Sequence, residues 1–310
     1  MRHIKLLVSL LSIIICLIGC CDSKSEPQPT PIFPEGALHG EYSISPTTKV
    51  YFSKGNLFYQ ASTQTFKFPD KQYYTNGNNN YYSNTICETN PNWVDAFFWG
   101  TSGWSGGVRD YRPGTRYNDS SYFIINGDLS QGLIGDFSNA DWGVFNAIEG
   151  GGNKAGLWRV LSYDEYVYLF SKRQNASSLF AFVRIRIDEN TDMNGLFIFP
   201  DNFSIPDDIY LRVSSETDEK EFGNNSLSLG QYEKLTNLGC AFLPASGRWD
   251  LFHSVDYNLR GAYWTSSTGI NYPERAACFT FEGSFEREIG MADYNRNMAL
   301  SVRLVQEIKK

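Results

Sequence analysis

The sequence predicts an α+β protein, and three observations carry the prediction. Aromatic residues make up 15% of the 310-residue chain, and such side chains are enriched in strands because they pack well on a pleated surface. Short apolar runs separated by turn residues recur through the second half. Two segments carry a full helix grammar of cap, period and stop. Strands grouped around two separate helices suit α+β rather than a repeated strand–helix–strand array.

Taken from the start, residues 1–19, "MRHIKLLVSLLSIIICLIG", read as an export leader. Arg2 and Lys5 form a charged head, and Leu6 to Ile18 form an apolar run too short for a comfortable membrane span. The run closes on Leu17-Ile18-Gly19-Cys20, which resembles the lipobox of bacterial lipoproteins. That resemblance implies cleavage before Cys20 and a lipid on its thiol. Cys21 is the poorer candidate, since Cys20 would then stand where a small residue is expected. An ordinary secretory signal or an anchor helix is the weaker alternative.

Residues 20–36 contain four prolines and few apolar side chains. Such a composition buries no core and forms an extended, semi-stiff tether, able to hold a domain roughly 40–50 Å from a membrane. One domain is expected over 37–310, with its folded part between about Leu38 and Glu307. The chain has 27 basic and 34 acidic residues, a net charge of −7; loss of Arg2 and Lys5 with the leader leaves 25 against 34, or −9. With no basic stripe to neutralise phosphates, nucleic acid is not an expected partner.

Within the domain, Lys49 to Phe68 reads as strands, with Lys54-Gly55-Asn56 as a hairpin turn. Gln72 to Asn84 is a polar, tyrosine-studded loop. Phe97 to Ile148 has no sustained period but carries Trp99, Trp104, Tyr111, Tyr117, Tyr122 and Trp142 among many glycines. The next segment, "GGGNKAGLWRVLSYDEYVYLFSKR", is the most patterned of the chain. Ser162 and Glu165 form an S-x-x-E capping box, and Tyr163, Tyr166, Val167 and Phe170 fall on one helical face. Gly150 to Gly152 are no phosphate loop: no GK[ST] follows, and Ala155 stands where G-x-G-x-x-G needs its last glycine. They are expected to shape a turn that sets Trp158 and the helix cap in place.

A second helix is expected at "SLGQYEKLTNLG". Ser228 and Gln231 form its box, Leu229, Tyr232, Leu235 and Leu238 its stripe, and Gly239 its stop. Between the helices, residues 180–200 read as two strands around a turn, with Arg184 and Arg186 on a wet face. "CAFLPASG", "GAYWTSST", "RAACFTFEG" and "ALSVRLVQ" are four further strand-like runs.

These residues carry a resemblance. "GLWRVLSYDEYVYLF" resembles the W-R-L-[PS]-T-x-x-E-W segment of the formylglycine-generating-enzyme-like, C-type-lectin-like superfold, and of related domains in exported proteins of Bacteroidetes and Fibrobacter. "FLPASG", "GAYWTSST", "AACFTF" and "SVRLV" follow in the order of that family, so the likeness spans about Asp141 to Val305; Leu38 to Phe68 matches more loosely. The resemblance implies two helices around a twisted antiparallel sheet with long irregular loops. It also implies an outer-membrane lipoprotein, with the exterior face favoured over the periplasmic one.

The family's chemistry does not follow. Cys240 and Cys278 are not the closely spaced copper-holding pair of the formylglycine-generating enzymes, and the E-P-N, Q-P-D and W-N-D motifs of calcium-dependent lectins are absent. Cys240 and Cys278 sit in apolar runs and read as core residues or as one bridge of an exported protein. Beyond the leader only His39 and His253 remain, too few for a two-histidine metal site, and no nucleophile motif appears. Asp188 to Gly195, "DENTDMNG", lacks the glycine and closing glutamate of an EF-hand and reads as a solvated turn. No catalytic residue, metal or cofactor is assigned, although two of the 34 acids brought together in space remain a route to an enzyme.

Binding is therefore the leading expectation, with a glycan or a surface protein as ligand. Loops on a rigid scaffold carry most recognition, and Trp and Tyr dominate it. Trp104, Tyr111, Tyr117 and Tyr122 are the candidate ligand-binding residues, whereas Trp99, Trp142 and Trp158 are expected to pack onto the core. The competing expectation is a structural or accessory subunit of a surface appendage or uptake complex.

Overall fold

Sheet dominates the fold, but the predicted strands are divided among several open sheets. The computed structural model describes residues 33–309 apart from 77–91, 105–130, 214–220, 251–252 and 284–288. Cys20, Tyr111, Tyr117 and Tyr122 lie outside the described residues, as do the leader and most of the tether. Phe33–Lys310 forms one compact unit. Among the described residues no helix is long and apolar enough to cross a membrane.

The described strands make four sheets of four or five strands and a two-stranded ribbon. The first sheet joins the two ends of the domain, since Lys49–Phe52 pairs antiparallel with Leu304–Glu307. A second is built on Phe180–Arg186 and Asp192–Ile198, the strand pair expected around a turn. The third holds the long antiparallel pair Arg260–Thr268 and Ala276–Glu282. The fourth is ordered Trp93–Val94, Phe58–Gln60, Thr65–Lys67, Ile148–Glu149.

Among the described residues three short α-helices accompany these sheets. Helix α1 (Trp142–Phe145) is capped by Asp141. Helices α2 (Tyr163–Val167) and α3 (Leu229–Asn237) start on the two predicted capping boxes, both fully formed. A box joins residues three apart, so tertiary structure is not needed to form it. The faces differ slightly from expectation. Beyond Val167 the chain winds as a π-helical turn, Tyr168–Lys172, and the buried residues are Tyr166 and Leu169, with Phe170 half-buried. Leu238 lies past the end of α3 and is exposed.

Phe180–Arg186 is wet only at its far end. Phe180 and Phe182 face one core cluster while Ala181, Val183 and Ile185 face another, so only Arg184 and Arg186 reach solvent. Both faces are covered because α3 packs on one side and Phe222 and Phe281 on the other. Trp99, Trp142, Trp158 and Trp264 are all buried in a third cluster. Cys240 and Cys278 belong to different clusters and are free thiols, not a bridge.

One local expectation fails. Lys54-Gly55-Asn56 is no hairpin turn: Lys49–Phe52 and Phe58–Gln60 belong to different sheets. Ser53 N–H donates to Leu304 O and Leu57 N–H to Val302 O, so the segment runs along the C-terminal chain. The hairpin comes one strand later, between Phe58–Gln60 and Thr65–Lys67. Gly55 permits the crossing, because a Cβ there would lie 2.6 Å from the Pro69 ring.

Candidate functional site

The glycine-rich turn is the place to begin, because it joins scaffold to surface. Gly150 and Gly152 take positive φ, 67° and 85°, which a side chain rarely tolerates. The turn lets Gly151 O accept the indole N–H of Trp158 at 2.8 Å, and Trp158 packs edge-on to Phe68. The turn is therefore scaffold, as its sequence predicts. Its outer side, however, forms part of a cleft.

That cleft encloses about 360 Å³ between the fourth sheet and the segment after it. Trp93, Tyr74 and Phe58 supply its aromatic surface, and Lys54, Lys67, Asp70 and Glu149 its charged groups. Tyr74 is 47% exposed and Trp93 half-buried, whereas Phe58 is buried. Lys67 holds its ammonium 3.8 Å from the centre of the Trp93 ring, a cation–π contact that leaves one ring face in use. Asn76 donates through its side-chain amide to Trp93 O and through its backbone to Asp95, fixing the rim. The side chains of Lys54, Asp70 and Glu149 have no hydrogen-bond or ion-pair partner among the described residues. Among the described residues the cleft thus presents Lys54 as an unpaired donor and Asp70 and Glu149 as unpaired acceptors beside an aromatic edge.

A second cleft of the same size, about 360 Å³, adjoins it. Lys54 and Asp70 line both clefts, and the far wall of the second comes from α3. There Lys71 pairs with Glu233 at 2.8 Å, and that carboxylate holds the Lys71 ammonium above the usual lysine value.

What holds these walls in place is buried beneath them. Arg303 is fully buried and donates to Phe242 O at 3.3 Å, to Asn56 Oδ1 at 3.4 Å, and to Gln72 Oε1. Gln72 in turn receives Phe242 N–H at 2.8 Å and donates to Cys240 O at 3.0 Å. The phenolic oxygen of Tyr263 takes a hydrogen bond from Asn56, and that of Tyr232 takes one from Gln72 N–H. Burial pulls the Arg303 guanidinium down to about 10. Asn56 and Gln72 belong to the same two segments that carry Lys54, Asp70, Lys71 and Tyr74. The arginine therefore positions the groove without touching its surface.

No protein-family model, curated protein or solved structure matches the chain. The site must accordingly be read from its own geometry.

Trp104, the one sequence candidate among the described residues, is half-buried and packs edge-on to Phe137 at 6.3 Å. It lies with the cluster of buried tryptophans and does not line either cleft. His39 is exposed and stacks on Phe33. Asp188 to Thr191 forms a local turn, Asp188 accepting Asn190 N–H at 2.8 Å. Among the described residues no three His, Cys, Asp or Glu side chains are grouped to hold a metal ion.

A carboxylate with a raised pKa lies outside the groove. Asp141 is fully buried, Oδ1 accepting Gly143 N–H at 3.0 Å and Oδ2 accepting Val160 N–H at 2.8 Å. Burial pushes its carboxyl up to about 6, and the two N–H donors offset only part of that. The folded protein then binds more protons than the unfolded chain between about pH 4 and 6, so this group's contribution to stability falls as pH rises through that window. The stability difference between wild type and Asp141→Asn, from urea unfolding, should shrink by on the order of 2 kcal/mol from pH 4 to pH 6.5. A difference that stays flat contradicts the assignment.

Proposed function

We propose that the chain is a non-catalytic binding module for neutral glycans, built on a C-type-lectin-like domain and carried on a lipid anchor at Cys20 at the outer surface of a bacterium. The observation that carries the glycan reading is the set of unpaired Lys54, Asp70 and Glu149 beside Trp93 and Tyr74. A sugar hydroxyl both donates and accepts, so an uncharged polyol satisfies ammonium and carboxylates at once. A polyanion would meet Asp70 and Glu149, and a polycation would meet Lys54 and Lys67. Aromatic edges supply apolar contact to sugar C–H groups at low conformational cost.

The domain reading draws support from the way the resembling motifs fall on successive elements. "WRVLSYDE" runs from strand Arg159–Val160 through a complete capping box into α2, and "SVRLV" carries the arginine beneath the groove. The anchor rests on the lipobox-like leader alone.

The test is a glycan and polysaccharide array probed with the full-length chain, kept in solution by a detergent without sugar. Neutral glycans should be captured, and Tyr74→Ala and Trp93→Ala should each weaken capture at least tenfold while the circular-dichroism spectrum is unchanged. Tyr74 is the cleaner variant because it is exposed. No capture of any glycan by a folded protein would overturn the reading in favour of a protein partner within a surface assembly.

A further inference from the structure

The two clefts adjoin at shared residues. Lys54 and Asp70 line both, so the clefts meet at a saddle between two unpaired and opposite charges. Each cleft, at about 360 Å³, lies at the small end of the ~300–1,000 Å³ typical of ligand sites. The two halves differ in chemistry. The first has the aromatic surface of Trp93 and Tyr74, while the second has Tyr232 buried in its floor and only polar groups of α3 at its rim. Asn237, the last residue of α3, is exposed there and makes no side-chain hydrogen bond among the described residues.

We infer that the ligand is an oligosaccharide chain lying across the Lys54–Asp70 saddle, gripped at one end by Trp93 and Tyr74 and recognised at the other by Glu233 and Asn237. This rests on the glycan reading and extends it to length and direction. Both signs of charge line each cleft: Lys54 and Asp70 are shared, Lys67 and Glu149 add to the first, and Lys71 pairs with Glu233 in the second. An uncharged chain finds donors and acceptors in both clefts, and a charged polymer meets like charge in each. The second half has no exposed aromatic ring among its lining residues, so it adds affinity only once the first half has already captured the chain. Engagement of the far end is then intramolecular and gains from a high effective concentration.

The experiment is calorimetric titration of the full-length chain with β-glucan, mannan and galactan oligomers of about two to six sugars. In the series that binds, affinity should rise about tenfold between the shortest and the longest oligomer. The double variant Glu233→Ala/Asn237→Ala should remove that rise and leave binding of the shortest oligomer unchanged. Both are surface positions, and the Lys71–Glu233 pair, with both partners well exposed, contributes little to stability. Equal affinity for short and long oligomers, or a double variant that behaves as wild type, overturns the two-part groove while leaving the glycan reading intact. Failure of every oligomer to bind a folded protein overturns both.

Discussion

Arg303→Ala will cost the domain about 3–5 kcal/mol, measured by urea unfolding, and will weaken glycan capture as well. The guanidinium is fully buried with no carboxylate partner among the described residues, and it is held by Asn56 Oδ1, Gln72 Oε1 and Phe242 O. Alanine removes those donors and leaves a cavity. Gln72 Oε1 still receives Phe242 N–H, but Asn56 Oδ1 and Phe242 O lose a partner in a place water does not reach. Each buried polar group left unmatched costs about 1–3 kcal/mol. Arg303→Met separates volume from polarity, since it restores most of the stem and none of the hydrogen bonds. Its stability should fall between those of wild type and Arg303→Ala. A methionine variant as stable as wild type would mean that Asn56 and Gln72 satisfy one another and that the charge is dispensable. Arg303→Ala within about 1 kcal/mol of wild type would contradict the account.

Trp158→Ala has the second large effect, a loss of about 3–5 kcal/mol. The ring is buried against Phe68 at 4.9 Å between centroids. Gly143 lies so close to the Trp158 backbone that its own Cβ would stand 2.6 Å away, so the neighbourhood is rigid and cannot collapse into the space. Trp158→Phe is the informative companion. It keeps most of the apolar contact but removes the N–H that satisfies Gly151 O, at a cost of about 1–3 kcal/mol. Gly150 and Phe68 line the first cleft, so the phenylalanine variant should also bind sugar several-fold more weakly than wild type at a temperature where both are folded. Unchanged affinity in a destabilised Trp158→Phe would show that the glycine turn holds its shape without the indole.

The two effects mark different distances between cause and consequence. The link from Trp158 to Gly151 spans seven residues, and the turn is visible in the sequence as three glycines and an asparagine ahead of a tryptophan. The capping boxes at Ser162 and Ser228 are as local. The hydrogen bond from Arg303 to Asn56 spans 247 residues. Nothing around Gly55-Asn56 distinguishes it from a hairpin turn, because the feature that overrides the turn is an arginine at the other end of the chain.

The groove was hidden for the same reason. Lys54, Asp70, Trp93, Glu149 and Asn237 come from five separate segments, and each alone reads as an ordinary surface residue. The aromatic-rich loop around Trp104 was the natural candidate because its rings are close in sequence, yet Trp104 itself packs on Phe137 beside the core.

Helix starts, strand-forming runs and the buried tryptophans follow from the amino-acid sequence by itself, since caps, periodicity and apolar bulk act between neighbours or by burial alone. Which strands share a sheet, where the segment after Phe52 turns, and which charges are left unpaired along one groove were decided only by the tertiary structure. Those outcomes depend on contacts between residues a hundred or more positions apart, such as Arg303 with Asn56 and Gln72, and a linear pattern carries no record of which distant partner will arrive.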